Sequence, residues 1–155
     1  KIIVTIPAGV DDGKRIAIPR QGHAGRNGGV PGDLFVFIHV KPHESFERSG
    51  QDLYCAIPVT VPQAALGTDL FVTTLDNRKI KVKIPAGVQN GKLLRLKDEG
   101  VPLINSNRKG DLYIKIVIQT PSRLSQKEKN LYEELAKIEG ASTSPKLMKL
   151  SELRD

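Results

Sequence analysis

Ile6-Pro7-Ala8-Gly9-Val10-Asp11-Asp12-Gly13-Lys14 returns as Ile84-Pro85-Ala86-Gly87-Val88-Gln89-Asn90-Gly91-Lys92. The two stretches lie 78 positions apart, and the offset holds without a gap on either side of them. Lys1, Ile2 and Val4 match Lys79, Ile80 and Val82, and Gly22 matches Gly100. Gly32-Asp33-Leu34 matches Gly110-Asp111-Leu112, and Ile38 matches Ile116. Such an internal duplication bears on the architecture before any local propensity is weighed. The period is too long for one solenoid unit and fits two copies of a small domain. Strand-forming residues 51–77 precede the second copy, nothing precedes the first, and position 1 is Lys rather than Met. The expectation is a fragment that begins part-way through its first domain.

Around the repeat, period-two alternation marks strands. They are expected at Lys1–Ile6, Arg15–Ile18, Asp33–Val40, Leu53–Val61, Leu70–Thr74, Lys79–Ile84, Leu93–Leu96 and Asp111–Gln119. Residues 21–32 carry five glycines and read as a surface loop. No Gly-Lys-Ser/Thr follows and a strand comes next, which argues against a phosphate cradle. Residues 43–50 read as a polar connection holding one large apolar side chain, Phe46. Pro62 to Gly67 suits one or two helical turns, with Pro at the start and Gly after the end. Many short strands and little helix predict a mainly β chain of β-sandwich domains. After Pro121 the pattern changes. Ser125-Gln126-Lys127-Glu128 is a capping box, and Leu131, Leu135 and Ile138 recur at helical spacing up to Gly140.

The chain has 155 residues and a net charge of +7. The excess sits in residues 78–120, with 10 basic and 3 acidic side chains. Lys79, Lys81 and Lys83 alternate with Ile80, Val82 and Ile84, so three lysines share one face. That face is either simply solvated or a patch for an acidic partner. No apolar run approaches the ~18 residues of a membrane span, and no membrane partner is expected. The single cysteine, Cys55, excludes a disulfide framework or a cysteine-built zinc site within the chain and suits a reducing, cytoplasmic setting. Cys55 falls on the apolar side of its strand and reads as a core residue.

Candidates for chemistry are few. His39 and His43 are four apart, which is ligand spacing on a helix but not on a strand, and no Glu or Cys near them completes a metal site. Asp33 and Asp111 hold the same place in both copies, better explained by a shared turn than by an acid–base pair. No nucleophile–base constellation stands out, so no enzyme is expected. Phe35 and Phe37 lie in one copy while the basic block lies in the other. This separation counts against a single-stranded nucleic-acid binder, which combines both on one surface. A basic β-domain binding nucleic acid stays as the alternative.

The repeated motif resembles the C-terminal region of DnaJ-type heat-shock co-chaperones. So do Gly32-Asp33-Leu34-Phe35-Val36, Pro42-His43-Glu44-Ser45-Phe46-Glu47-Arg48, Asp52-Leu53-Tyr54, Ala64-Ala65-Leu66-Gly67, Thr74-Leu75-Asp76 and Gly110-Asp111-Leu112-Tyr113. The likeness covers about residues 1–139. It implies tandem β-sandwich domains that bind unfolded client polypeptides for a DnaK-type chaperone, then a dimerisation helix, in a stress-response protein that catalyses nothing here. The expected division is 1–43 (remainder of the first peptide-binding domain), 44–121 (second domain), 122–140 (dimerisation helix) and 141–155 (tail). The family's zinc module, with its Cys-x-x-Cys-x-Gly-x-Gly repeats, is absent from this sequence and belongs to many full-length members. No cofactor is therefore expected in this fragment. The His-Pro-Asp tripeptide that stimulates the DnaK-type ATPase is also missing.

The resemblance places client contacts in the first domain, with pocket residues at Ile2 and Phe46. Comparing the copies adds Ile3 and Phe37, which stand where the second copy has Lys81 and Lys115. These two side chains either form an apolar patch for extended peptide or pack on a missing half-domain. Homodimerisation is assigned to Leu131, Tyr132, Leu135 and Ile138. Leu147, Leu150 and Leu153 of the tail are expected to pack across the same junction.

Overall fold

A computed structural model of the chain describes residues 1–140 and 146–150. The architecture is mainly β, as expected, with a C-terminal helix. The strands are β1 (Arg15–Ile18), β2 (Leu34–Phe37), β3 (Glu47–Ser49), β4 (Asp52–Thr60), β5 (Thr68–Thr73), β6 (Lys79–Ile84), β7 (Leu93–Leu96) and β8 (Leu112–Gln119). Among the described residues the helices are α1 (Val61–Leu66) and α2 (Gln126–Glu139), and a 3-10 turn lies at Arg26–Gly28. β1 pairs with β2, β5 pairs with β6, and the larger sheet runs β3-β4-β8-β7.

The duplication reappears bond for bond. Gly13 N–H donates to the Ile38 carbonyl at 2.9 Å, and Gly91 N–H to that of Ile116 at 2.8 Å. Ile38 and Ile116 return bonds to Lys14 and Lys92 at 2.8 and 2.9 Å. Val40 N–H reaches Asp12 Oδ1 at 2.7 Å, and Ile118 N–H reaches Asn90 Oδ1 at 2.9 Å. Asp33 and Asp111 do the same work in both copies. Each accepts an N–H from a residue at positive φ: Arg20 (+60°) at 3.1 Å and Asp98 (+58°) at 3.0 Å. A left-handed non-glycine residue is costly, and the carboxylate hydrogen bond offsets that cost. The retained aspartates are thus turn residues.

Two compact units divide the chain. The first gathers Lys1–Ala56, Val72–Ile80 and Leu93–Lys115. Its interior includes Val10, Ile38, Leu53, Val101, Leu112 and Ile114, each at most 9% exposed. The second gathers Ile57–Phe71, Lys81–Lys92 and the residues from Ile116 on. There Val59, Val82, Ile84, Val88 and Ile116 are buried. The alternation read from β6 holds: Val82 and Ile84 are buried while Lys79, Lys81 and Lys83 are exposed. Thr60 caps α1, accepting from Gln63 N–H at 3.3 Å while the Gln63 side chain accepts from Thr60 N–H at 2.9 Å. Cys55 is half-buried, and burial pushes its thiol pKa up, away from the thiolate a nucleophile needs.

Two expectations about strands are corrected. Lys1–Ile6 forms no strand, because its alternating residues find no hydrogen-bonded neighbour among the described residues. Conversely, the polar stretch after Phe46 contains β3. Gly50, at φ +61°, makes a two-residue turn with Gln51 that folds Ser49 onto Asp52.

Several carboxylates are held below their ordinary pKa range. For Asp111 the largest cause is the Asp98 backbone hydrogen bond, opposed by desolvation and aided by Arg95, whose Nε lies 2.6 Å away. For Asp76 it is the Thr74 hydroxyl at 2.6 Å, then Arg78. For Asp12 it is the Val40 N–H. A depressed folded pKa contributes stability above the unfolded value, near ~4, that is lost as pH falls through the folded value. The melting temperature should therefore be flat above about pH 5 and fall steadily below about pH 4. Asp111→Asn should lower the plateau and flatten the acid limb in melts recorded by circular dichroism between about pH 2 and pH 7. An unchanged acid limb would contradict this assignment.

Candidate functional site

The first unit presents an apolar surface built from the first repeat copy. In β1–β2, Arg15 faces Phe37 and Ala17 faces Phe35 across the pair. Side chains alternate, so these four share the outward face, while Ile16, Ile18, Leu34 and Val36 turn inward. Phe37 is 72% exposed, and the Arg15 guanidinium sits 4.6 Å above the Phe35 ring centroid. Among the described residues no further strand pairs with β1 or β2, so both outer edges keep unused backbone donors and acceptors. Ile2, Ile3 and Ile6 are exposed as well, Ile3 the most at 86%.

Phe46 is placed differently. It is buried, with the His43 ring 5.1 Å from its own, and His43 Nδ1 accepts Ser45 N–H at 3.0 Å. Of the four residues expected to bind peptide, Ile2, Ile3 and Phe37 are solvent-facing and Phe46 is interior. Arg48, to which the sequence reading gave no role of its own, fastens the repeat turn of the first copy. Its guanidinium donates to the carbonyls of Val10 at 2.8 Å and Gly9 at 3.0 Å, and to Asp11 Oδ1 at 2.7 Å. Its Nε donates to Gly50 at 2.8 Å. Only a planar fork reaches so many acceptors at once. A lone arginine in a polar run gives no sequence signal of that role.

At the other end of the chain, α2 begins as its capping box requires. Ser125 Oγ accepts Glu128 N–H at 3.2 Å, and Glu128 Oε2 accepts Ser125 N–H at 2.7 Å. Gly140 closes it in the left-handed conformation, donating to Ala136. None of its side chains is buried. Leu131, Leu135 and Ile138 are exposed, and Tyr132 is half-buried. Leu147 and Leu150 are exposed too, and Leu153 lies outside the described residues.

Among the described residues no three His, Cys, Asp or Glu side chains gather as metal ligands. His39 instead lies 3.0 Å from Asp12. No described helix is long and apolar enough to cross a membrane.

Comparison with known proteins gives a consistent answer. The chain is 56% identical over 153 residues to a chaperone protein DnaJ of Treponema denticola, an alignment covering 99% of the chain and 40% of that protein. It is 49% identical over 143 residues to the chaperone proteins DnaJ of Brucella canis and Brucella suis, covering 92% of the chain and 38% of each. The chain thus spans about two fifths of the length of these relatives. The family model described as the DnaJ C terminal domain matches residues 1–121, and with both repeat copies inside that match the chain belongs to the DnaJ C-terminal domain family.

Proposed function

We propose that the chain is the client-binding and dimerisation part of a DnaJ-type co-chaperone, delivering unfolded polypeptides to a DnaK-type chaperone in the cytoplasm. The observation that carries the client reading is the exposure of Ile3 and Phe37 in the first unit, where among the described residues no further strand pairs with β1 or β2. An extended peptide can add backbone hydrogen bonds at such an edge while its apolar side chains cover the exposed ones, a mode that tolerates many sequences. Ile2, also exposed, would join the contact, and Phe46, which is buried, would act only by supporting the fold. Dimerisation rests on α2. A helix of 14 residues is marginal alone, and its exposed Leu131, Leu135 and Ile138 need a partner. Residues 1–43 and 44–121 would be the two peptide-domain portions, and 122–140 the dimerisation element.

The test is binding of a fluorescent, leucine-rich peptide followed by anisotropy. Each apolar side chain covered on binding contributes on the order of 1.5–3 kcal/mol. Ile3→Ser and Phe37→Ser should therefore each weaken binding about tenfold or more, and Lys81→Ser should leave it unchanged. Equal losses from all three would indicate a general electrostatic surface. Phe46→Ser is a poor probe, because removing a buried aromatic side chain costs about 3–5 kcal/mol of stability by itself.

A further inference from the structure

A hollow lies in the first unit, on the outward face of the sheet β3-β4-β8-β7. It has a volume of about 320 Å³, and its lining includes Glu47, Tyr54, Cys55, Ala56, Leu93 and Lys115. Its shape follows from register. Glu47 stands opposite Tyr54, and Leu93 opposite Lys115. Tyr54 and Ala56 are two apart and so share a face of β4. A single methyl among longer side chains leaves a depression at Ala56. Tyr54 forms a fixed wall, its ring stacked on that of Tyr113 at 5.1 Å and 13°. Leu93, 50% exposed, lies on β7 beyond Lys115 and lines the far side of the hollow.

Two charges, Glu47 on β3 and Lys115 on β8, flank the depression at Ala56 on β4 between them. Neither Glu47 nor Lys115 makes an ion pair among the described residues. β3 and β8 are two strand spacings apart, roughly 10 Å, or about three residues of extended chain. An apolar depression with an unpaired anion on one side and an unpaired cation on the other complements a peptide with charges of both signs around an apolar residue.

We propose that this groove binds an extended peptide segment whose apolar side chain sits over Ala56, with a cationic residue toward Glu47 and a carboxylate toward Lys115. The proposal rests on the reading of the chain as a polypeptide binder, and adds a charge preference to it. The matching positions of the first copy explain why the two surfaces differ. Lys115 corresponds to Phe37 and Leu93 to Arg15. One copy therefore offers exposed aromatics and the other an apolar hollow between charges.

Three labelled heptapeptides test this: Ser-Lys-Ser-Leu-Ser-Glu-Ser, the same with two lysines, and the same with two glutamates. The parent chain should bind the mixed peptide at least about fivefold more tightly than either other. Ala56→Leu fills the depression and should cost about tenfold for the mixed peptide. Lys115→Glu makes both flanks acidic and should move the preference to the two-lysine peptide, a readout that misfolding cannot imitate. If Ala56→Leu binds as the parent does and Lys115→Glu keeps its preference, the groove is not a site. The client reading then still stands, provided Ile3→Ser and Phe37→Ser weaken the leucine-rich peptide. If those fail as well, both readings fall.

Discussion

Leu135→Asp should convert a dimer into a folded monomer. Leu135 is the least exposed member of the α2 stripe, at 44%, with Leu131 at 56% and Ile138 at 81%. A two-fold contact would bring this stripe against the same surface of a second copy, so one substitution enters the interface twice. Each carboxylate would have to leave water without a cationic partner, which costs several kcal/mol. The dissociation constant should rise by about a hundredfold or more, since each 1.4 kcal/mol is tenfold. The helix itself should survive, because its Ser125–Glu128 box and Gly140 cap are untouched. Sedimentation equilibrium should show a dimer for the parent and a monomer for the variant, with unchanged circular dichroism. A parent that stays monomeric at high micromolar concentration would remove the dimer.

Gly110→Ala should destabilise the first unit severely. A Cβ at Gly110 would lie 2.1 Å from the Gln51 carbonyl oxygen and 2.8 Å from Asp52 Oδ1. Backbone cannot yield as a side-chain end does. Three bonds meet there: Asp111 N–H to Asp52 Oδ1 at 2.8 Å, Leu53 N–H to Asp111 O at 2.9 Å, and Val101 N–H to Gln51 O at 2.8 Å. Relieving the clash would break some of them. Overpacking alone costs about 1–3 kcal/mol. With one lost hydrogen bond added, the total should exceed about 3 kcal/mol. Gly50→Ala is the control: its Cβ meets nothing within 4 Å, and only the φ of +61° opposes it. In urea melts Gly110→Ala should be partly unfolded without denaturant, and Gly50→Ala should lose about 1 kcal/mol. Equal losses would show that close approach is not why residue 110 is glycine.

What could be read in the sequence was local. Arg15–Ile18, Lys79–Ile84 and Leu93–Leu96 came out residue for residue, because alternation and adjacent turn residues lie within a few positions. The start of α2 was equally plain, since a capping box is written in four residues. The duplication located shared turns without any structure. What escaped depends on partners distant in sequence. Lys1–Ile6 alternates properly, yet a strand exists only beside another. β3 is polar, and its pairing was decided by Gly50 rather than by its own side chains. The burial of Phe46, the reach of Arg48 to Gly9 and Val10, and the hollow over Ala56 all depend on residues far apart in the sequence, which composition does not encode.

The most direct test of polypeptide capture is a salt series on two ligands, a leucine-rich peptide and single-stranded DNA, each titrated at about 50 mM and about 500 mM salt. Phosphate binding releases counterions and weakens steeply with salt. Burial of apolar side chains does not depend on counterions. Peptide affinity should stay within about twofold across the series and be lost in Ile3→Ser and Phe37→Ser, while DNA binding should be weak and vanish at the higher salt. Tight DNA binding with a steep salt slope, alongside peptide binding that collapses in the same way, would contradict polypeptide capture.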